Sequence, residues 1–409
     1  MNLTALLLVA AAVTAVWSLF ATRLTHWRVA PALVLAIAGA ATAQVSRVEL
    51  STALALPTTE RIVEMVLALL LFVDATEVKG GMLGHDRRGA LKLLLIGLPL
   101  SIVAATAFGA FLFPGVGLAV LVVLACAVMP TDLSANGSLF RNRVVPRRVS
   151  RLLNVESGYN DGIMAPIFVC ALVLIEHTSG EREFWDAVGE GVYSTAIAIG
   201  IGGAIGFGAA FAANRALALS LTSTRALGIT VIMVALLAYG GAVLLEGNGF
   251  VAAFVCGITY RAARTVQELG GSELEFVEDV TLLCNVVMWF GFGLLIDYLL
   301  DLGWAGWPVV IFALGAISVL RAGPVMLALS GHFYTRREKT LIAFLGPRGT
   351  ASIVFGLLAW IKIPDYLLDE ASLALLAVTW TVVLSLLVYS IAAITLGRQH
   401  NRTGADVEH

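Results

Sequence analysis

Long apolar runs alternate with short polar segments along almost the whole chain. Each run has about 20 residues, the length that an α-helix needs to cross the hydrocarbon core of a bilayer. Thirteen runs can be delimited, at 3–21, 28–45, 59–79, 89–112, 115–139, 150–175, 188–213, 226–245, 248–266, 277–299, 306–330, 338–361 and 370–396. The pattern predicts an all-α polytopic membrane protein with about thirteen transmembrane helices.

The composition agrees with this fold class. Of the 409 residues, 59% are hydrophobic and 13% are charged, whereas a soluble domain carries about 25% charged residues. The first apolar run has no basic residue before it and no convincing small-residue cleavage site after it. We therefore interpret this run as a retained helix and not as a signal peptide.

The basic residues indicate how the spans are oriented. Of the 26 lysines and arginines, 20 fall in one set of alternating loops and the C-terminal tail, and four fall in the opposite loops. Cytoplasmic loops are enriched in lysine and arginine. This asymmetry predicts an inner (plasma) membrane protein with the N-terminus outside and the C-terminus in the cytoplasm.

Two of the predicted spans are interrupted by proline. Span 5 contains Met129-Pro130-Thr131-Asp132, and span 12 contains Gly346-Pro347-Arg348-Gly349. The two spans are seven apart and cross the membrane in opposite directions, so spans 1–6 and 8–13 would form an inverted repeat joined by span 7. Paired broken helices indicate a transporter site near the bilayer midplane. Two ordinary proline kinks are the alternative, but they leave the neighbouring charges unexplained.

Polar residues in span 6 lie at the same depth as these breaks. Asp161 is followed by an almost unbroken apolar stretch, and an ionisable group at bilayer depth is rarely tolerated without a function. Ser157 lies four residues earlier on the same helix face, and Asn160 is adjacent. With Thr131 and Asp132 across the cavity, these oxygens could bind a dehydrated monovalent cation or protons. Competition for one site would then be sufficient for exchange.

Two arginines, Arg321 and Arg348, fall inside predicted spans and need partners. We predict that Glu156 pairs with Arg321, which leaves Asp161 available. We expect Arg348 to balance either Asp132 or Asp74. For Asp74, structural pairing and a direct role in transport both remain open.

The other acidic residues of the spans need less explanation. Glu77 lies one turn nearer the cytoplasm and could be satisfied by Lys79. Glu64, Glu278 and Asp279 lie near helix ends, where a side chain can extend to the aqueous interface.

The sequence favours neither metal catalysis nor nucleotide chemistry. The four cysteines fall within apolar spans without metal-ligand spacing, and the six histidines lie in loops or the tail. The sequence contains no nucleotide-binding motif. We therefore expect no cofactor apart from the transported cation and proton, no nucleotide or nucleic-acid partner, and no enzymatic activity.

At these residues the chain resembles the monovalent cation:proton antiporter superfamily, in the NhaP-like branch with an Asn-Asp pair in span 6. The segment Glu156-Ser157-Gly158-Tyr159-Asn160-Asp161 resembles the span 6 motif of that branch, and Thr131-Asp132 resembles its unwound span 5. Arg321 is similar to the span 11 arginine that pairs with the span 6 glutamate. Gly346-Pro347-Arg348-Gly349 is similar to the Gly-X-Arg-Gly motif of span 12.

The resemblance implies a homodimer in which a core domain moves as an elevator against a dimerisation domain. Asp161 would carry cation and proton, and Asn160, in place of a second aspartate, would imply electroneutral one-for-one exchange. The dimerisation domain would comprise 1–85 and, with the linker helix, 188–305. The core domain would comprise 86–187 and 306–397, and 398–409 would form a short cytoplasmic tail.

Other functions remain open at this point. The cation could be sodium, with lithium as a further substrate, or a potassium/proton antiporter or potassium efflux system could use the same fold. A passive channel is a third possibility. An intramembrane aspartyl protease would also need two membrane aspartates, here Asp132 and Asp161, but the chain lacks its Gly-X-Gly-Asp motif.

Overall fold

The computed structural model describes residues 3–26, 30–46, 57–78, 83–133, 145–176, 181–265, 272–301 and 306–405. In these residues, one helical segment or interrupted pair corresponds to each predicted span. The first seven are α1 (Leu3–His26), α2 (Pro31–Ser46), α3 (Pro57–Glu77), α4 (Arg87–Leu112), α5 (Leu118–Val128), α6 (Arg147–Glu176) and α7 (Glu181–Ala218). The next three are α8 (Thr224–Leu244), α9 (Gly249–Ala263) and α10 (Ser272–Asp301). The last three are α11 (Gly306–Ile317 and Val319–Ala328), α12 (Arg336–Phe344 and Thr350–Lys362) and α13 (Leu368–Ala405).

The helices have the lengths and composition of a membrane domain. Seven of those in the described residues are long and apolar enough to cross a bilayer, and five more are shorter apolar helices. The remaining one, α3, has 21 residues but carries acidic groups along its length. The predicted all-helical, multi-pass architecture is confirmed.

Both predicted interruptions are present. Helix α5 ends at Val128, and the chain continues without helical structure to residue 133. The remainder of predicted span 5 lies outside the described residues. In α12, residues 345–349 separate Arg336–Phe344 from Thr350–Lys362. Each break exposes backbone groups that a continuous helix would have paired internally.

Two further irregularities were not predicted from the sequence. Span 11 was expected to be continuous, but α11 is interrupted at Ser318, whose φ and ψ are −125° and −99°. Helix α4 contains a π-helical turn at Leu93–Gly97. The interruption of α11 lies three residues before Arg321 and therefore helps to place this side chain.

The helices sort into two groups by packing. In the scaffold group (α1–α3 and α7–α10), α2 packs on α10, and α9 packs on both α3 and α7. In the core group (α4–α6 and α11–α13), α5 packs on α4, α6 and α13, and α11 packs on α4 and α13. The groups meet where α6 contacts α3, α7 and α9 and where α12 contacts α3 and α10.

Close backbone contact stabilises the scaffold group. A Cβ atom added at Gly293 of α10 would lie 2.1 Å from the carbonyl oxygen of Ala36 in α2. A Cβ atom at Gly39 would lie equally close to the carbonyl oxygen of Phe290. Small residues that let helix backbones approach are a common way to pack transmembrane helices. Residues at this α2–α10 contact therefore have to remain small.

Candidate functional site

The two broken segments hydrogen-bond to each other. The backbone N–H of Asp132 donates to the carbonyl oxygen of Pro347 at 2.8 Å, and the N–H of Thr350 donates to Asp132 Oδ2 at 3.2 Å. Asp132 therefore caps the second half of α12, at the end where a helix dipole favours negative charge. Gly349 makes this possible, because a Cβ atom there would lie 1.8 Å from Asp132 Oδ2.

Span 6 is tied to the break of span 5 by side-chain hydrogen bonds. The amide nitrogen of Asn160, which is fully buried, donates to the carbonyl oxygen of Thr131 at 2.9 Å and to its hydroxyl at 3.1 Å. The amide oxygen of Asn160 accepts from the N–H of Asp161 at 2.6 Å. The hydroxyl of Ser157 accepts from the N–H of Leu133 at 3.2 Å. These bonds hold the unwound chain against the face of α6 that carries Asp161.

Asp161 is buried at the centre of this arrangement. Its side chain is 4% exposed, and Oδ1 has no hydrogen-bond partner among the residues that the structure describes. The segments that carry Asp74 and Asp132 both contact α6 beside it, Asp74 through the backbone next to Gly158 and Asp132 through the hydrogen bond of Asn160 to Thr131. A buried carboxylate oxygen without a donor is costly, so a bound cation or proton would stabilise the site.

The predicted ion pair between Glu156 and Arg321 is present. Arg321 Nη2 donates to both carboxylate oxygens of Glu156, at 2.9 and 2.8 Å, and both side chains are buried. Arg321 Nη1 donates to the carbonyl oxygens of Ile342 and Ala343, at 2.7 and 2.6 Å. These carbonyls belong to the last turn of the first half of α12, where a helix has unpaired acceptors. One guanidinium thus joins α6, α11 and α12.

The expected pairing of Arg348 with Asp132 or Asp74 was wrong. The guanidinium is fully buried and donates to the carbonyl oxygens of Gly346 and Ala316, both at 2.7 Å. Gly346 lies in the break of α12, and Ala316 lies in the last turn before the break of α11. Backbone acceptors at the two breaks therefore bind both terminal nitrogens of this arginine, whereas its Nε has no hydrogen-bond partner in the described part of the chain.

Two polar contacts of the site were missed by sequence reasoning. The hydroxyl of Thr350 donates to Asn285 Oδ1 at 2.6 Å, which connects the site to α10 in the scaffold group. The hydroxyl of Ser385 on α13 accepts from the backbone N–H of Arg348 at 2.8 Å. The only available signal was an isolated polar residue within an apolar helix, a feature that is common and carries little information.

The structure is that of a multi-pass membrane protein in which two broken helices meet at buried polar residues, and comparison with known families places it more closely. Residues 6–397 match the family model described as sodium/hydrogen exchanger, transmembrane. The chain belongs to this family. The resemblance seen in the motifs of spans 5, 6, 11 and 12 is thereby confirmed at the level of the family.

Individual relatives are distant. The chain is 27% identical over 256 residues to the K(+)/H(+) antiporter NhaP of Alkalimonas amylolytica. It is 30% identical over 158 residues to the Na(+)/H(+) antiporter ApNhaP of Aphanothece halophytica, and 24% identical over 321 residues to a Na(+)/H(+) antiporter of Schizosaccharomyces pombe. These matches cover 59%, 38% and 74% of this chain. They span 41%, 30% and 66% of the relatives' own lengths.

The fold is shared with a solved structure over almost the whole chain. The sodium proton antiporter MjNhaP1 from Methanocaldococcus jannaschii at pH 8 superposes with a TM-score of 0.73 and is 17% identical. The superposition covers 95% of this chain and all of MjNhaP1. An electron-microscopy structure of the same antiporter gives a TM-score of 0.70.

The geometry of the buried ion pair predicts the outcome of a double-mutant cycle on Glu156 and Arg321. Glu156→Gln and Arg321→Gln should each lower the free energy of unfolding, by about 3–5 kcal/mol, because each leaves an uncompensated buried charge. The loss should be larger for Arg321→Gln, which also frees two carbonyl oxygens. The double variant should recover part of the sum in thermal unfolding of the purified protein.

The pair of Arg148 with Glu338 provides the control for this cycle, because its arginine side chain is 46% exposed. Arg148→Gln should lower the free energy of unfolding by much less than either buried substitution, because solvent screens the charge of Arg148. Strictly additive losses from Glu156→Gln and Arg321→Gln would show that the two charges do not stabilise each other.

Proposed function

We propose that the protein is a secondary active antiporter that exchanges a monovalent cation for a proton, with both competing for Asp161. The observation that carries the proposal is the buried Asp161 carboxylate, whose Oδ1 has no partner among the described residues, beside two helix breaks that hydrogen-bond to each other. A site that is occupied alternately by cation and proton couples the two fluxes without a separate proton channel. Membership of the sodium/hydrogen exchanger family supports this function.

The proposed cation ligands are the oxygens that surround Asp161. Asp161 supplies the removable charge, and Ser157, Thr131 and Asp132 supply further hard oxygen ligands. Asn160 was predicted to belong to the binding set, but both ends of its amide are used within the protein, toward Thr131 and Asp161. We therefore assign to Asn160 the role of positioning Thr131 and Asp161. Asp74 lies near enough to affect the charge of the site.

The proposed cycle moves the core group against the scaffold group. We assign the core group to the predicted core domain of 86–187 and 306–397, and the scaffold group to the predicted dimerisation domain with its linker helix, 1–85 and 188–305. We propose a homodimer formed through the scaffold, an N-terminus outside and an inner-membrane location.

Sodium is the proposed cation, with lithium as a further substrate. Two relatives and the superposed structure are named as sodium/proton antiporters. Potassium is the second candidate, because the relative that is 27% identical is named as a potassium/proton antiporter. The ligand types serve either ion. A channel and an intramembrane aspartyl protease receive no support from the family.

Asp161→Asn should abolish exchange and leave a folded protein. The amide cannot supply the charge that binds a cation or the group that carries a proton. The measurement is the internal pH of proteoliposomes, reported by a dye after a sodium, lithium or potassium gradient is imposed. Thermal stability should be unchanged or higher, because an uncompensated buried charge is removed.

Asp365→Asn provides the matched control, since Asp365 is an exposed residue between α12 and α13. This variant should retain the exchange rate of the unmodified protein. Sodium-driven proton movement in purified Asp161→Asn at the unmodified rate would rule out the proposed site.

Exchange should be electroneutral. If one cation replaces one proton on Asp161, the loaded site carries the same charge in both directions, so an imposed membrane potential should not change the rate. The readouts are the potential dependence of the dye signal and the steady-state current on a solid-supported membrane. A steady, potential-sensitive current that disappears in Asp132→Asn would contradict this stoichiometry and identify Asp132 as a second proton carrier.

A further inference from the structure

A cluster of charged side chains joins the core and scaffold groups at one end of the helices. This outer cluster consists of Glu60, Arg61 and Glu64 of α3, Tyr239 of α8, and Lys362 at the end of α12. Lys362 Nζ lies 2.6 Å from Glu60 Oε1 and 2.9 Å from Glu64 Oε1. Arg61 Nη1 and the Tyr239 hydroxyl donate to Glu64 Oε2, at 2.9 and 2.5 Å.

Glu64 was expected to extend to the aqueous interface, and the structure places it differently. Its side chain is only 5% exposed, whereas that of Arg61 is 62% exposed. A carboxylate buried to this extent is retained when several donors satisfy it. Two of those donors, Arg61 and Tyr239, belong to the scaffold group together with Glu64. Lys362 belongs to the core group and contributes the cross-group contact of this cluster.

The cluster lies well away from the cation site along the membrane normal. Glu64 precedes Asp74 by ten residues of α3, which corresponds to about 15 Å along a helix. The distribution of basic residues places the start of α3 and the end of α12 at the outer face. In this structure the core is therefore joined to the scaffold on the outer side of Asp161.

We propose that Lys362, with Glu60 and Glu64, forms a closing contact that holds the outer side of the transport pathway shut and breaks in every cycle. The proposal rests on the proposed movement of the core against the scaffold. A contact that is present in one state and absent in the other changes their relative populations by its own free energy. The outer cluster would thus set the balance between the outward-closed and outward-open states.

The geometry suits a contact that is broken repeatedly. Glu64 keeps its hydrogen bonds from Arg61 and Tyr239 after Lys362 leaves, so its buried charge still has partners. The side chains of Lys362 and Glu60 are 31% and 26% exposed, and water can replace their contact. The Glu156–Arg321 pair differs on both counts, because its side chains are 6% and 3% exposed and both lie within the core group. These differences suit the Lys362 contact to repeated breaking and the Glu156–Arg321 pair to staying intact throughout the cycle.

The test is a distance measurement across the outer face of the full-length protein in lipid nanodiscs. Spin labels at Leu245, in the loop after α8, and Tyr366, before α13, report the separation of scaffold and core; both side chains are exposed. The four native cysteines are first replaced by alanine. The separation is measured by pulsed electron paramagnetic resonance with and without Lys362→Met.

Lys362→Met should add a population at longer distance and raise the ratio of open to closed protein at least about tenfold, the change expected when a charge-assisted hydrogen bond is lost. Lys362→Arg should restore the closed distribution. Arg61→Met is the matched control, because it removes a positive charge from the same carboxylate without crossing between the groups. It should leave the distribution unchanged.

An unchanged distance distribution in Lys362→Met, or an equal shift in Arg61→Met, would overturn the closing contact. A double-cysteine variant tests whether the contact must break during exchange. A disulfide between the cysteines of Glu60→Cys and Lys362→Cys should arrest exchange until it is reduced. Continued exchange in the fully oxidised protein would also overturn the proposal. The distance measurement requires no transport, so failure of the closing contact is separable from failure of the proposed antiport.

Discussion

The structure depends on one constraint: a carboxylate that is buried among apolar helices needs polar groups around it. Asp161 meets this constraint because the backbone around it is broken in a controlled way. The breaks of spans 5 and 12 supply polar groups at membrane depth, and they are tolerated because they bond to each other and to side chains of the site. If spans 5 and 12 were continuous helices, their backbone groups would be hydrogen-bonded within each helix. Asp161 would then have no free backbone polar groups beside it.

The two buried arginines also bind backbone groups at the helix breaks. Arg321 binds the last carbonyls of the first half of α12, and Arg348 binds Ala316 in the last turn before the break of α11. Both are cations at the negative ends of helices, and Asp132 is an anion at the positive end of one. Arg321, Arg348 and Asp132 therefore each have a partner within the protein. Asp161 Oδ1 has none among the described residues, which is why we propose that Asp161 binds the transported ions.

Most of the fold was predictable from the sequence, because the thickness of the bilayer sets the length of the apolar runs and proline marks the helix breaks. Apolar runs and the two proline-containing breaks are local features, and the Glu156–Arg321 pair followed from charge balance between spans. The partners of Arg348 could not be predicted, since every residue carries a carbonyl and the sequence does not show which are freed. The break at Ser318 has no proline or glycine beside it. The partners that surround Glu64 include Tyr239 and Lys362, which lie about 175 and 300 residues away in the sequence.

The outer cluster and the cation site use buried carboxylates in opposite ways. Glu64 is surrounded by donors from α3, α8 and α12, whereas Asp161 Oδ1 has none in the described part of the chain. The first arrangement favours a defined contact between helix groups. The second favours exchange of a small ion. On our two proposals, a buried carboxylate thus holds helix groups together in one place and binds an ion in the other.

The central claim is that cation and proton compete for Asp161. Equilibrium binding of radioactive sodium to the purified protein, measured over a range of pH, tests it most directly. Competition with one proton predicts that the apparent Kd rises about tenfold for each pH unit below the pKa of the site, while the number of bound ions at saturation stays constant. A Kd that is independent of pH, or a binding capacity that falls at unchanged Kd, would contradict the account.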